Sequence, residues 1–179
     1  MIYIATLNGP YYLGGVEQVV RQITSNFSNE NKRRTVILSG SIKKDTSLIN
    51  GIPVKNILPP ICCVKKNSII HRLIFSVCLA IYTWKLKNSD ILNVHGAEYG
   101  SMIHLLGKKG KNKANIVVTV HGSMEEEVQK YLIENRYKKN IFLKFILFLL
   151  KKIYAYSERK TLKFASEIIF IPEMKMVNN

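Results

Sequence analysis

Acidic side chains are scarce in this sequence, cysteines are few and poorly placed to act together, and no apolar run is long enough to cross a bilayer. Asp and Glu number 12 against 27 Lys and Arg, a formal net charge of +15. The excess is local. Residues 1–30 hold Arg21 against Glu17 and Glu30, whereas Lys130 to Lys163 holds ten basic and two acidic residues, a net of +8. Such a cluster can meet nucleic acid, an anionic membrane surface or phosphorylated substrates, and composition does not choose among them. The cysteines Cys62, Cys63 and Cys78 show no metal-ligand spacing, and the adjacent pair has poor geometry for an internal disulfide, so they read as reduced thiols of a cytoplasmic protein. The start, MIYIATLNG, lacks the basic and long apolar regions of a secretory signal. Neither GxGxxG nor GxxxxGK[ST] occurs, which leaves a dinucleotide fingerprint and a P-loop unsupported.

What is present is an alternation of strand and helix patterns. Ile2 to Thr6 is a short β-branched and aromatic run stopped by Asn8-Gly9-Pro10. After Gly14-Gly15 the apolar residues Val16, Val19, Val20, Ile23 and Phe27 fall at helical spacing, and the polar stretch Ser28 to Lys32 ends that helix. Strands are predicted at 34–39, 52–58, 90–94, 115–120 and 167–171, and helices at 68–86, 98–106, parts of 124–135 and most of 140–165. This order predicts an α/β, Rossmann-like domain over residues 1–172, with a mostly parallel sheet and helices on both faces. Residues 173–179 read as a short tail.

In such sheets ligands bind beyond the carboxyl ends of the strands, so the informative residues are Asn8 to Glu17, His95 to Glu98 and His121 to Ser123. Gly14-Gly15 stands ahead of a helix, where free N–H groups and the dipole favour an anion and a missing Cβ admits a phosphate; a plain flexible loop is the alternative. His121 follows a strand of buried type, and its imidazole could bond a sugar or acceptor hydroxyl or serve a purely structural role. His95 and Glu98 mark the neighbouring rim. His71 and His104, on apolar helices, read as packing or solvated residues. No metal site is expected.

Ile141 to Leu150 is apolar except for Lys144, but ten residues fall short of the ~20 that span a bilayer. Lysines flank it, so it fits a sheet-covering helix or a helix lying at an anionic lipid interface. Apolar residues fill nearly every position, which favours burial. The segment around Leu73 to Trp84 poses the same choice. Contact with nucleic acid is disfavoured, since the basic residues flank aliphatic helices and form no aromatic-basic ladder.

The strand IYIAT, the piece GPYYLGGVEQVVRQI, and the segments DILNVHG, NIVVTVHG and FASEIIFIP together resemble the N-terminal domain of the family 4 retaining glycosyltransferases, enzymes of two Rossmann domains in the GT-B architecture. The resemblance covers nearly the whole chain, and Gly14 to Val20 is its most specific part. It implies that Gly14 and Gly15 approach the diphosphate of a nucleotide-sugar donor, that His121 lies at the reaction centre, and that Glu17, Gln18, His95 and Glu98 contact the acceptor. It also implies no metal and no cofactor beyond that donor substrate, a glycan or lipid-linked acceptor, and a cytoplasmic location at the inner face of the membrane. The family's donor-binding domain with its E-x7-E motif has no counterpart here. The expectation is therefore a transferase half, inactive alone, either truncated or completed by a separate C-terminal donor-binding chain; the alternative is a non-catalytic acceptor-binding or membrane-associated subunit of a split transferase.

Overall fold

The computed structural model describes residues 1–8, 14–41, 48–59, 68–107, 113–122, 128 and 141–171. The strands are β1 (Ile2–Thr6), β2 (Thr35–Ser39), β3 (Leu48–Ile49), β4 (Ile52–Asn56), β5 (Ile91–His95), β6 (Asn115–Val120) and β7 (Glu167–Phe170). The helices are α1 (Gly15–Ser25), α2 (Asn29–Arg33), α3 (Ile69–Tyr82), α4 (Gly100–Leu106) and α5 (Ile141–Phe164), with 3-10 turns at Thr83–Lys85 and Ala97–Tyr99.

The seven strands form one sheet in the order β3-β4-β2-β1-β5-β6-β7. Every pairing is parallel except that of β3 with β4. Alternate residues of a strand point to opposite faces, and each face has its own cover. Ala5, Leu38, Leu92, Val94 and Val118 pack with Phe75 and Leu79 of α3 and Ile103 of α4. Ile4, Ile37 and Ile52 pack with Val20 of α1 on the other side. The predicted α/β architecture with a mostly parallel sheet and helices on both faces is the one observed.

Three local features differ from the sequence expectation. The strand predicted to reach residue 58 stops at Asn56 and is preceded by β3, joined through Asn50 (φ 52°) and Gly51 (φ 81°). Positive φ at both central residues is the geometry of a tight hairpin turn, which Asn-Gly favours. The polar stretch after α1 is not merely a helix end, for the hydroxyl of Ser28 accepts from the amide of Asn31 at 3.2 Å and caps α2. The third difference concerns α5. Of the two placements open to its apolar N-terminal half, the favoured one, burial, is not observed, for Phe145, Phe148 and Leu149 are exposed. The contacts of α5 with α4 and the turn before it run through Ser157 and Thr161, further along the helix. The pattern predicted at 124–135 lies outside the described residues apart from Val128.

A part-buried ion pair closes the lower edge of the sheet. The carboxylate of Asp90 accepts from the Met1 ammonium and from the amide of Lys87, each at 2.8 Å. Burial alone would raise the Asp90 pKa, but these bonds outweigh it and hold the carboxyl below its ordinary 3.8. A carboxyl depressed in the folded state adds stability above its unfolded value, and that stability disappears as pH falls through the lower folded value. Asp90→Ala is expected to cost about 1–3 kcal/mol at neutral pH. Asp90→Asn should remove the part of the acid dependence below pH 4, read as melting temperature against pH.

Candidate functional site

The chain leaves β1 in one direction, to β2 and β4, and later returns across the sheet to start β5 on β1's other side. The strand order reverses between β1 and β5, and the crevice beyond their carboxyl ends is where open α/β sheets take ligands. Ala5 pairs with Val94 in register, both on the α3 side, so Thr6 and His95 turn together toward the α1 side. His95 pairs with Thr119 in β6, and His121, two residues on, shares that side. The amino end of α1 lies over the same edge, as a βα connection requires. Gly14-Gly15, His95 and His121 thus come to one rim of the sheet.

The two histidines meet. Nδ1 of His95 and Nε2 of His121 are 2.8 Å apart in a hydrogen bond where one donates and the other accepts, and the rings stack at 5.0 Å between centroids and 28° between planes. His95 is 2% exposed. Burial first, and the nearby His121 second, push its pKa down to about 3. Burial also lowers His121. Both imidazoles are therefore uncharged at neutral pH, a pair offering donor and acceptor without charge. Beneath them the hydroxyl of Thr119 donates to Oδ1 of Asn93 at 2.8 Å.

Among the described residues, three buried side-chain polar atoms lack a hydrogen-bond partner: Thr6 Oγ1, Asn8 Oδ1 and His95 Nε2. Buried polar atoms are nearly always paired, so each exception asks for a reason. Here all three stand at the carboxyl ends of β1 and β5, where a ligand could supply the missing partners. Sequence reasoning reached His95 and Asn8 but passed over Thr6, whose only signal was its place as the last residue of β1.

Gly14 and Gly15 form the start of α1 without a side-chain cap. A Cβ on Gly15 would meet nothing within 4 Å, whereas one on Gly14 would strike the Glu17 carboxylate. Glu17 is buried in the first turn, so a carboxylate of the chain itself lies at the positive end of the helix. Gln18 is exposed. Glu98 sits in the turn after β5, and its Oε1 accepts from the Arg72 guanidinium at 3.0 Å. Burial pushes its pKa up, with hydrogen bonding and Arg72 opposing. His71 has Nε2 2.7 Å from the carbonyl of Gly40, just past the carboxyl end of β2, and His104 stacks on Phe164.

No group of three or more His, Cys, Asp or Glu that could hold a metal occurs among the described residues. Nor is any helix among them long and apolar enough to cross a membrane. No protein-family model, no curated protein and no solved structure matches the chain.

Proposed function

We propose that the chain is the acceptor-side half of a GT-B glycosyltransferase, which moves a sugar from a nucleotide-sugar to a glycan or lipid-linked acceptor. One observation carries this reading: an uncharged histidine pair stands with three unpaired buried polar atoms at the β1/β5 crevice. Neutral donors and acceptors in a buried cleft suit hydroxyl groups better than ions, because a hydroxyl both gives and takes a hydrogen bond and brings no charge to desolvate. His121 is the half-exposed member and the one that touches substrate. His95 is the positioning residue behind it. Gln18 faces the acceptor, Glu98 braces the rim through Arg72, and the open side of Gly15 admits the diphosphate. Base and ribose belong to a second domain, so transfer by these 179 residues alone is not expected. The same reading puts the chain in the cytoplasm, against the inner leaflet where lipid-linked acceptors lie.

A second reading, a non-catalytic acceptor-binding subunit, is favoured by the Glu17 carboxylate, which lies at the helix start where a diphosphate would be held. Histidine-labelled protein titrated with nucleotide-sugars and with oligosaccharides separates the two. The expected result is that the ring signals of His95 and His121 shift with both ligand classes, and that His121→Ala weakens binding about tenfold, the worth of one hydrogen bond. Shifts with oligosaccharides only would favour the subunit. Rings indifferent to every sugar ligand would end both readings, and robust transfer by the purified chain would refute its dependence on a second domain.

A further inference from the structure

Helix α5 presents a second surface, separate from the crevice. The Ser157 hydroxyl donates to the carbonyl of Glu98 and accepts from the Ser101 hydroxyl 2.7 Å away, Thr161 packs on Gly100, and Phe164 stacks on His104. The chain then enters β7, with the amide of Ser166 on the carbonyl of Ile116 near the start of β6. The helix therefore reaches the level of the turn after β5 at Ser157. At 1.5 Å per residue, Ile141 lies about 24 Å beyond that point, past the carboxyl edge of the sheet on the side of the crevice.

On this overhanging part the described exposed residues are Phe145, Phe148, Leu149, Lys152, Ile153 and Tyr156. Steps of 3 and 4 place them on a single stripe, bordered beside Ile153 by the buried Ser157, with the buried Thr161 turned further away. The apolar ones are between 48% (Phe148, Leu149) and 61% (Phe145) exposed, which makes a continuous apolar strip rather than scattered surface residues. Positive charge is built into it. The Lys152 ammonium lies 4.6 Å from the Phe148 ring centre, and that of Lys160 5.5 Å from the Tyr156 ring. Arg159, Lys160 and Lys163 continue the same stripe toward the helix end, while Glu158, the helix's one acidic residue, projects from another side. Helix α3 also exposes Ile70, Leu73 and Ile81, with Trp84 exposed in the turn after it, but the one Lys or Arg within the helix, Arg72, is engaged with Glu98.

We infer that the α5 stripe is a membrane-docking surface, which lies flat on an anionic bilayer with its aromatic and aliphatic side chains in the interface and its lysines among the headgroups. Apolar residues interleaved with basic ones are what such an interface selects, since the lysine stems lie along the apolar surface while the ammonium groups stay at headgroup level. The stripe carries no acidic residue to repel the lipid charge. Docked this way, the overhang brings the crevice to the bilayer, so that an acceptor held in lipid would reach His121 without leaving it. The choice of leaflet and the acceptor rest on the transferase reading; the docking does not.

The test uses the whole chain with vesicles of phosphatidylcholine alone and of phosphatidylcholine with an equal share of phosphatidylglycerol. The expected result is cosedimentation with the anionic vesicles only, weakened by salt. The double substitution Phe148→Ser, Leu149→Ser should lower the partition about tenfold while leaving circular dichroism and melting unchanged. Lys152→Glu with Lys160→Glu changes only charge at the helix surface and the ring contacts of Phe148 and Tyr156, and it should abolish the preference for phosphatidylglycerol even if the apolar variant folds poorly. Failure to sediment with anionic vesicles overturns the inference, as does equal binding by native protein and the charge variant. A lipid-free dimer that the apolar variant dissociates also overturns it, by assigning the stripe to contact between copies. Because His121→Ala leaves α5 untouched, sugar binding that this substitution does not weaken, with lipid binding intact, would sink the crevice reading alone, and native protein that binds sugar through His121 yet ignores anionic vesicles would sink only this one.

Discussion

Replacing His95 with asparagine is expected to flatten the acid side of the stability profile. In the folded protein burial, helped by His121, holds the His95 imidazole neutral down to about pH 3, whereas in the unfolded chain it takes up a proton near 6.5. Between these values the unfolded state binds one more proton than the folded state. Stability due to this group is intact above pH 6.5 and drains away as pH falls, by roughly 1.4 kcal/mol per pH unit while the difference is a full proton. Asparagine keeps a polar group near the position of Nδ1 and cannot titrate.

At neutral pH the variant should be less stable by about 1–3 kcal/mol, through lost packing and a weakened bond to His121. Under acid the wild type falls faster, and the two curves should cross near pH 5, roughly where 1.4 kcal/mol per unit has offset that deficit. Other groups act in the same range. His121 adds a slope of the same sign, since burial lowers it too. Glu98 opposes, because burial raises its pKa and stability then increases as pH falls through the raised value. Asp90 enters only at lower pH. The difference between wild type and variant cancels the contributions of Glu98 and Asp90, so urea midpoints taken from neutral to mildly acid buffer report His95 together with its bonded partner His121. Parallel curves would mean that the imidazole is already protonated in the native protein.

The sheet was legible because its strands carry their own signal. Ile116, Val117 and Val118 form a run that only a strand buried on both faces would tolerate, and Ile2 to Thr6 ends at a Gly-Pro breaker. The crevice followed from topology: once strands and helices alternate, the residues after β1, β5 and β6 must share an edge. What could not be read was pairing. Nothing in the separation of His95 from His121 announces a 2.8 Å bond, which depends on the β5-β6 register and on both side chains turning to the α1 side. Nor could the fate of Glu98 be foreseen, for Arg72 lies 26 positions away on α3. The hairpin at Asn50-Gly51 was visible in principle, but flanks as short as Leu48-Ile49 show almost no alternation. Exposure of α5 stood as the less favoured of two readings for a different reason. A helix apolar at nearly every position looks like core until its length shows that much of it lies beyond the sheet that would cover it.

That overhang depends on one close crossing, and Gly100→Ala is expected to be the most damaging single-methyl change on the helical face. A Cβ at Gly100 would fall on the Thr161 side chain, with the Thr161 Cβ itself only 2.8 Å away. Thr161 cannot swing aside: it is fully buried, β-branched, and its hydroxyl donates to the carbonyl of Ser157 at 2.8 Å. The two helices must part instead, which stretches the bonds of Ser157 to Glu98 and Ser101 that fix α5 to the rim. Overpacking of this kind costs up to about 3 kcal/mol or more, while alanine's better helix propensity returns at most about 1. The net loss should be about 2 kcal/mol. Thr161→Gly alone should also destabilise, through the cavity and the flexible helix position, yet in the double variant the glycine makes room for the new methyl. A double-mutant cycle from urea unfolding should therefore show the pair less damaging than the sum of the single changes, by about 1–2 kcal/mol. Strict additivity would mean that α4 and α5 do not touch at this point, and would leave α5 without the anchor that holds its apolar stripe beside the crevice.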